Sequence, residues 1–496
     1  MGVDLVDITA KRAALTPNRI AFEEARTGRT LTYAQLEDRC ARAAAVLASL
    51  GVSRQDRVAI LCRNRVEFFE IMFAKLGAIF VPLNWRSPAV ELAGLIADCG
   101  AKLLVFGAED ADSARALGGV FLALDDGYQA ALEHASPLAT DHRWPGDATW
   151  FLMYTSGTTG QPKGVIQTYQ MSVVNAFHAG EAFDLRDGDT TLNFLPLFHS
   201  AGIQLVSLPV LIAGGTVIVL PAFDEARALA LMPRLDIFFG VPAVYQQLAL
   251  HPDFEGADLA RVRSWGCGGA PLADVLVERY AAKGVTVCNG YGMTETGPTA
   301  FIAMKEDALR KIGSVGKPLM LLDVRIVDAN GNDVPTGESG EIWMRGPGLT
   351  PGYWNKSEET ARAFTPDGWL KSGDIGMRDG DGCYYVAGRI KEMYISGGEN
   401  VYPAEVENVL ARHPAVLESA IVGTPDETWG EVGHAFILLR PGAAAPSQAD
   451  IVQYCRARLA AYKAPRMVTF VEDFPRTAAG KIRKHLLSSS PNTRAR

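Results

Sequence analysis

The sequence predicts an α/β protein: a large N-terminal domain of covered, mostly parallel sheet with a small barrel-like subdomain, followed by a small α+β domain. Three observations carry that prediction. Helical and strand-like patterns alternate through the first part of the chain. From about 320 to 388 the texture changes to short alternating strands broken by Gly, Pro and Asp, and a fresh α+β pattern begins after Gly388-Arg389. Alternating βα units bury a sheet on both faces, whereas short alternating strands with turn residues make antiparallel units.

Taken in order, Tyr33 to Leu50 carries apolar residues at helical spacing and stops before Gly51. Arg57 to Leu61 reads as a buried strand, Val66 to Leu76 as a helix and Ala101 to Phe106 as another strand. Ala201 to Phe223 holds no charge, yet Pro209 and Gly214-Gly215 interrupt it and Thr216 to Leu220 is β-branched, so a buried helix, a turn and a buried strand are expected rather than a membrane span. Val324 to Val327, Glu341 to Met344 and Tyr384 to Val386 are the short strands of the subdomain. Beyond it come strand Met393 to Ile395, helix Pro403 to His413, strands Ser419 to Val422 and Ala435 to Leu439, and helix Gln448 to Leu459. The division expected is 1–388 and 389–496, the second part being long enough for its own core.

Composition agrees. The chain has 496 residues, 48% hydrophobic and 21% charged, so it is globular and too long for one ordinary core. Its 49 Gly and 27 Pro show no triplet period, which excludes collagen, and no longer repeat is present. Net charge is −8, which speaks against a nucleic-acid partner. From Gln453 onward, however, ten basic residues face two acidic ones. Seven scattered cysteines without a C-x-x-C pair suit a reducing compartment and carry no zinc signature. Asp4 and Asp7 stand where a signal peptide needs an apolar core, and Val6 where myristoylation needs Ser or Thr, so a cytoplasmic protein without a transmembrane segment is expected.

The sharpest local feature is Tyr154-Thr-Ser-Gly-Thr-Thr-Gly-Gln-Pro-Lys-Gly-Val165. Small and hydroxyl residues in a row leave backbone N–H groups open to a phosphate chain, and Lys163 adds a mobile cation. Apolar runs on either side, Trp150 to Met153 and Gly164 to Ile166, argue for a loop pinned between strands. It is not a Walker A loop, because Gly-Lys-Ser/Thr occurs nowhere in the chain.

With this loop the sequence resembles the adenylate-forming superfamily of acyl- and aryl-CoA synthetases, luciferase and peptide-synthetase adenylation domains. Further family motifs follow in order: Pro196-Leu-Phe-His-Ser-Ala-Gly202, Gly290-Tyr-Gly-Met-Thr-Glu-Thr-Gly-Pro298, Lys371-Ser-Gly-Asp374, Gly388-Arg-Ile-Lys391, Ser396-Gly-Gly-Glu-Asn-Val-Tyr-Pro403 and Pro475-Arg-Thr-Ala-Ala-Gly-Lys481. The resemblance implies attack of a carboxylate on the α-phosphorus of ATP with loss of pyrophosphate, then displacement of AMP by the thiol of coenzyme A. Two anions must meet, so such a site needs cations and Mg²⁺ more than a strong base.

The family match assigns roles residue by residue. Thr155, Ser156, Gly157, Thr158, Thr159 and Lys163 would hold phosphates; Gly269, Ala270, Pro271, Asn289, Gly290, Tyr291, Gly292 and Met293 would surround the nucleotide. Thr294 would donate to the α-phosphate, and Glu295, with Thr155, would hold the metal. Asp374 would accept the ribose hydroxyls, with Arg389 nearby. His199 would orient the reacting groups, and Lys481 would bridge carboxylate and α-phosphate. Acyl-pocket walls would be His199, Gln204, Phe239, Gly240, Val241, Gly266, Cys267, Gly268, Pro298 and Thr299. Lys391 is the implied hinge of a mobile C-terminal domain, and Gly397, Gly398 and Trp429 would line a channel for the pantetheine arm.

The walls are apolar and rich in small residues, so the acid should have an apolar tail. No carboxylate lies between Asn193 and Phe223 to pair with a substrate ammonium, which disfavours amino acids, and the walls offer no Arg or Lys for a dicarboxylate. An aryl acid of the hydroxycinnamate or benzoate type, such as ferulate, and a medium- or long-chain fatty acid both stay open, with the aryl side favoured. A stand-alone enzyme loading a carrier protein is the alternative, and a homodimer is left open.

Overall fold

Local chemistry starts the first long helix. The Thr32 hydroxyl accepts from the Gln35 N–H, and the Gln35 side chain accepts from the Thr32 N–H, a reciprocal cap that opens helix Tyr33–Ser49. Its buried residues, among them Tyr33, Leu36, Cys40, Ala43 and Leu47, recur at helical spacing. In the computed structural model, which describes residues 4–139, 143–155, 162–270, 272–476 and 482–487, that stripe joins a core with Val58, Ile60, Phe80, Val105 and Phe151.

Those partners belong to a six-stranded sheet in the order Lys163–Thr168, Thr149–Thr155, Ile79–Pro82, Arg57–Leu61, Ala101–Phe106, Phe121–Ala123. It is parallel except for its first pair, an antiparallel hairpin in which Lys163 faces Thr155. A nine-stranded sheet runs Lys317–Pro318, Phe301–Ile302, Val287–Tyr291, Ser264–Cys267, Ile237–Gly240, Thr190–Asn193, Thr216–Val219, Ile20–Glu24, Thr30–Thr32. Its inner strands are parallel and its outer ones antiparallel. Four inner strands, Thr190–Asn193, Thr216–Val219, Ile237–Gly240 and Ser264–Cys267, are buried along nearly their whole length, as strands of a sheet covered on both faces are.

The short-strand region forms an antiparallel meander, Asp323–Val327, Ser339–Arg345, Leu370–Arg378 and Tyr384–Arg389, around Ile326, Ile342, Met344 and Tyr384. Beyond Arg389 the chain makes one 3₁₀ turn, Ile390–Glu392, and enters a separate sheet. There Glu399–Val401, Tyr394–Ser396, Gly430–Leu439 and Val416–Asp426 pair in antiparallel order, and Met467–Val471 adds in parallel. Helices Pro403–Ala411 and Gln448–Arg456 pack on it through Val406, Leu410, Ile451 and Cys455.

Two elements differ from sequence expectation. The helix expected over Val66 to Leu76 ends at Met72. The chain turns there so that Lys75, itself buried, reaches Asp7 and Glu37, each at 2.8 Å. A buried ammonium must be paired, and that requirement outweighs continuation of the helix. The uncharged stretch contains a π-helix, Ala201–Ser207, then helix Leu208–Ala213 and strand Thr216–Val219. Among the described residues no helix is long and apolar enough to cross a membrane.

Candidate active site

Four adjacent parallel strands end side by side with motif residues at their carboxyl ends. Asn193, Gly240, Cys267 and Tyr291 close the strands Thr190–Asn193, Ile237–Gly240, Ser264–Cys267 and Val287–Tyr291. Registers of Phe239 to Gly266, Gly240 to Cys267 and Cys267 to Asn289 bring the predicted acyl walls and the nucleotide motif into one row. Ligand sites of open α/β sheets form at this edge, where chain direction leaves loops free.

In the predicted nucleotide motif Glu295 lies in a 3₁₀ turn, Thr294–Thr296, and is only 7% exposed. The Tyr353 hydroxyl donates to its Oε1 at 2.9 Å, and Thr350 N–H donates to its main-chain oxygen. Burial pushes the Glu295 carboxyl above its ordinary pKa, while Tyr353 and Arg389 pull it down. Lys163 sits over the Tyr353 ring, 5.0 Å from its centroid, so one tyrosine joins the predicted phosphate cation to the predicted metal ligand. Thr155, opposite Lys163 on the hairpin, ends the neighbouring strand.

Asp374 is 9% exposed and accepts from the Tyr291 hydroxyl at 2.5 Å; Arg389 Nε stands 3.6 Å from its other oxygen. The register of the meander, Asp374 opposite Arg389, puts them there. Tyr291 also packs on Phe301, with centroids 5.7 Å apart. Glycine at 292 has a steric cause: a Cβ there would lie 1.6 Å from the Pro298 oxygen. Gly269 holds a φ of +85° and Ala270 follows it.

Among the described residues no cluster of three His, Cys, Asp or Glu side chains could cage a metal. The buried carboxylate of Glu295 nonetheless fits Mg²⁺, which keeps waters and substrate phosphates as most of its ligands.

Among the predicted acyl walls His199 stands in the turn before the π-helix, half-buried, its backbone N–H on the Pro196 oxygen and its ring beside Phe198. The wide helical turn has its own support. Asn193 Nδ2 and Ser207 Oγ both donate to the Gly202 carbonyl at 2.9 Å, and Asn175 Nδ2 donates to that of Gln204. Side-chain donors that capture carbonyls hold the ladder away from α geometry, and such π segments recur at functional sites. Gly266 lets the floor close, since a Cβ would meet Phe183 at 2.5 Å and Phe239 at 2.8 Å. Cys267 is fully buried and its thiol pKa is raised by desolvation, so it is a packing residue and no nucleophile. Val241, Gly268, Pro298 and Thr299 follow in the adjoining loops.

In the C-terminal unit, Lys391 is in the turn after Arg389, its amine pKa lowered by desolvation and by Arg389. The Gly397 N–H donates to the Trp429 oxygen at 2.9 Å, and a Cβ on Gly397 would lie 2.6 Å from the indole; Gly398 is exposed. Arg412 pairs with Asp274 across to the first unit. Arg476 pairs in register with Ile482, so the two strand ends around the last motif run antiparallel. Ser156, Gly157, Thr158, Thr159, Pro271 and Lys481 lie outside the described residues. Sequence reasoning missed Tyr353, Gln167 and Asn175. Gln167 was detectable as a lone amide in an apolar strand, Asn175 left no signal beyond polarity, and Tyr353 carried only the turn cue of Pro351-Gly352.

Known proteins match this arrangement throughout. The AMP-binding enzyme family model matches residues 9–354, and the AMP-binding enzyme C-terminal domain matches residues 405–481. A feruloyl-CoA synthase from an Amycolatopsis species is 41% identical over 479 residues, 96% of each chain. The long-chain-fatty-acid–CoA ligase FadD13 of Mycobacterium tuberculosis is 39% identical over 489 residues, again 96% of each. ATP-bound MatB from Rhodopseudomonas palustris superposes with a TM-score of 0.90 at 32% identity, covering 97% of this chain and 98% of that one. The apo form of the same protein scores 0.80. The protein therefore belongs to the AMP-binding, adenylate-forming enzymes and, within them, to the AMP-forming acid–CoA ligases.

Proposed function

We propose that the enzyme activates an apolar carboxylic acid, of the hydroxycinnamate or benzoate type in preference to a fatty acid, and transfers it to coenzyme A. One observation carries the reading. Cations suited to phosphate, Lys163 and Arg389, and carboxylates suited to a metal ion and to hydroxyl groups, Glu295 and Asp374, gather beside strand ends whose other walls, Phe239, Val241 and Cys267, hold no charge.

In the first step a carboxylate oxygen attacks the α-phosphorus and pyrophosphate leaves; in the second the thiol sulfur attacks the acyl carbon and AMP leaves. Asp374 and Tyr291 would position the ribose, Lys163 the phosphates, and His199 the acid. Glu295 and Thr155 would hold Mg²⁺, which neutralises phosphate charge. Lys481 would balance the two anions, and a unit-charge pair at 4 Å is worth about 4 kcal/mol at an effective dielectric of about 20. We place the domain boundary at 388/389 and the pivot at Lys391, because the single turn Ile390–Glu392 separates two sheets. Gly397, Gly398 and Trp429 would then reach the thiol path after rotation. The higher TM-score with the ATP-bound relative supports reading this arrangement as that of the first step. We place the protein in the cytoplasm, a reading supported by seven buried cysteines, all free thiols.

The test is pyrophosphate release across benzoates, cinnamates and fatty acids of graded length. Release that needs an acid, with AMP release accelerated by coenzyme A, supports the reading. Transfer to a carrier protein but not to coenzyme A would favour the alternative enzyme.

A further inference from the structure

Two of the residues expected to wall the acyl pocket, Gln204 and Thr299, are polar, enclosed and linked to each other through Asn175. Gln167 Nε2 donates to the Thr294 carbonyl oxygen at 3.0 Å, and this fixes the amide orientation. Gln167 Oε1 must then accept, and the donor it receives is Gln204 Nε2, at 2.9 Å. Oriented in this way, Gln204 keeps its Oε1 as an acceptor without a partner, on a side chain that is 0% exposed. Asn175 connects the second wall: its Nδ2 donates to the Gln204 main-chain oxygen, and its Oδ1 accepts from the Thr299 N–H at 3.3 Å. Thr299 Oγ1 is likewise buried and unpartnered. Buried polar atoms are rarely left dry, since apolar residues of the same shape would pack at least as well.

We propose that Gln204 Oε1 and Thr299 Oγ1 read a hydroxyl group on the acid, held in place by the positioning residues Gln167 and Asn175. The preferred substrate is then an apolar acid that carries a hydroxyl, favoured over its deoxy counterpart. The inference rests on the acid–CoA ligase reading and narrows it. A hydroxyl matches the pair in both senses: its hydrogen goes to the acceptor-only Gln204 Oε1, and its oxygen can receive the Thr299 hydroxyl hydrogen. A deoxy acid leaves both atoms dry, the situation in which a pocket discriminates strongly.

Pyrophosphate release is measured for cinnamate against ortho-, meta- and para-hydroxycinnamate, and for dodecanoate against ω-hydroxydodecanoate. The enzymes are the wild type, Gln204→Leu, Thr299→Val and Gln167→Leu. At least one hydroxylated acid should exceed its parent in kcat/KM by about 10–100-fold in the wild type. That ratio should fall to about threefold or less in Gln204→Leu and Thr299→Val, and should also shrink in Gln167→Leu. Because it compares two acids on one enzyme preparation, a loss of folded protein does not move it. Ratios near unity for every pair in the wild type, or a preference surviving in both wall variants, would overturn the inference alone. No pyrophosphate with any acid would overturn the ligase reading and this inference together.

Discussion

Tyr353→Phe isolates one hydroxyl at the centre of the site. The ring stays, so the contact with Lys163 at 5.0 Å is kept, while the 2.9 Å hydrogen bond to Glu295 Oε1 is lost. A hydrogen bond to a charged group is worth about 1.5–3 kcal/mol. Glu295 is already raised by burial, and Tyr353 is one of the groups that pull it down. Removing the hydroxyl should therefore raise the carboxyl further. In a pH profile of kcat/KM for ATP, the acid limb of the variant should move to higher pH. The alkaline plateau should change less, and high Mg²⁺ should draw the limb back, because a cation favours the carboxylate. Stability follows the same sign. A raised folded pKa means the Glu295 contribution is present below the ordinary carboxyl range and lost as pH rises through the folded value. The Tyr353→Phe substitution should thus cost more stability at neutral pH than at acid pH. An acid limb that coincides with that of the wild type would refute the role given to Glu295.

Three further outcomes follow from the geometry. Asp374→Asn removes the charged acceptor of Tyr291 and the neighbour of Arg389, so KM for ATP should rise about 10–100-fold, and an unchanged ATP titration would contradict its ribose role. Lys481→Ala should slow adenylate formation by up to about a thousandfold yet leave thioester formation from a supplied acyl adenylate largely intact; equal damage to both steps would count against domain rotation. Gly292→Ala places a methyl 1.6 Å from the Pro298 oxygen, so ATP should no longer raise the melting temperature, and a preserved shift would show that this turn is dispensable for nucleotide binding.

How much was legible in the sequence depended on whether a feature is local. Motif strings such as Gly290 to Pro298 and Lys371 to Asp374 are readable from adjacent residues, although the bond from Tyr291 to Asp374, 83 positions apart, is not. Apolar alternation likewise located strands Arg57–Leu61 and Ala101–Phe106 and helix Tyr33–Ser49. What stayed hidden depends on partners far along the chain. Tyr353 meets Glu295 from 58 positions away, and Gln167 meets Thr294 from 127. No periodicity reports such pairs. The early end of the helix at Met72 has the same origin, since Lys75 must find Asp7, 68 positions distant. The π-helix was invisible because its donors, Asn193 and Asn175, sit on other elements.

In the proposed first step the acid attacks the α-phosphorus directly. That attack leaves a carboxylate oxygen on AMP once the thiol has taken the acyl group. The most direct measurement uses an acid labelled with ¹⁸O in both carboxylate positions, with ATP, Mg²⁺ and coenzyme A, followed by mass spectrometry of the products. The prediction is one label in AMP, one in the thioester carbonyl and none in pyrophosphate. Unlabelled AMP, or label appearing in inorganic phosphate beside ADP, would contradict it.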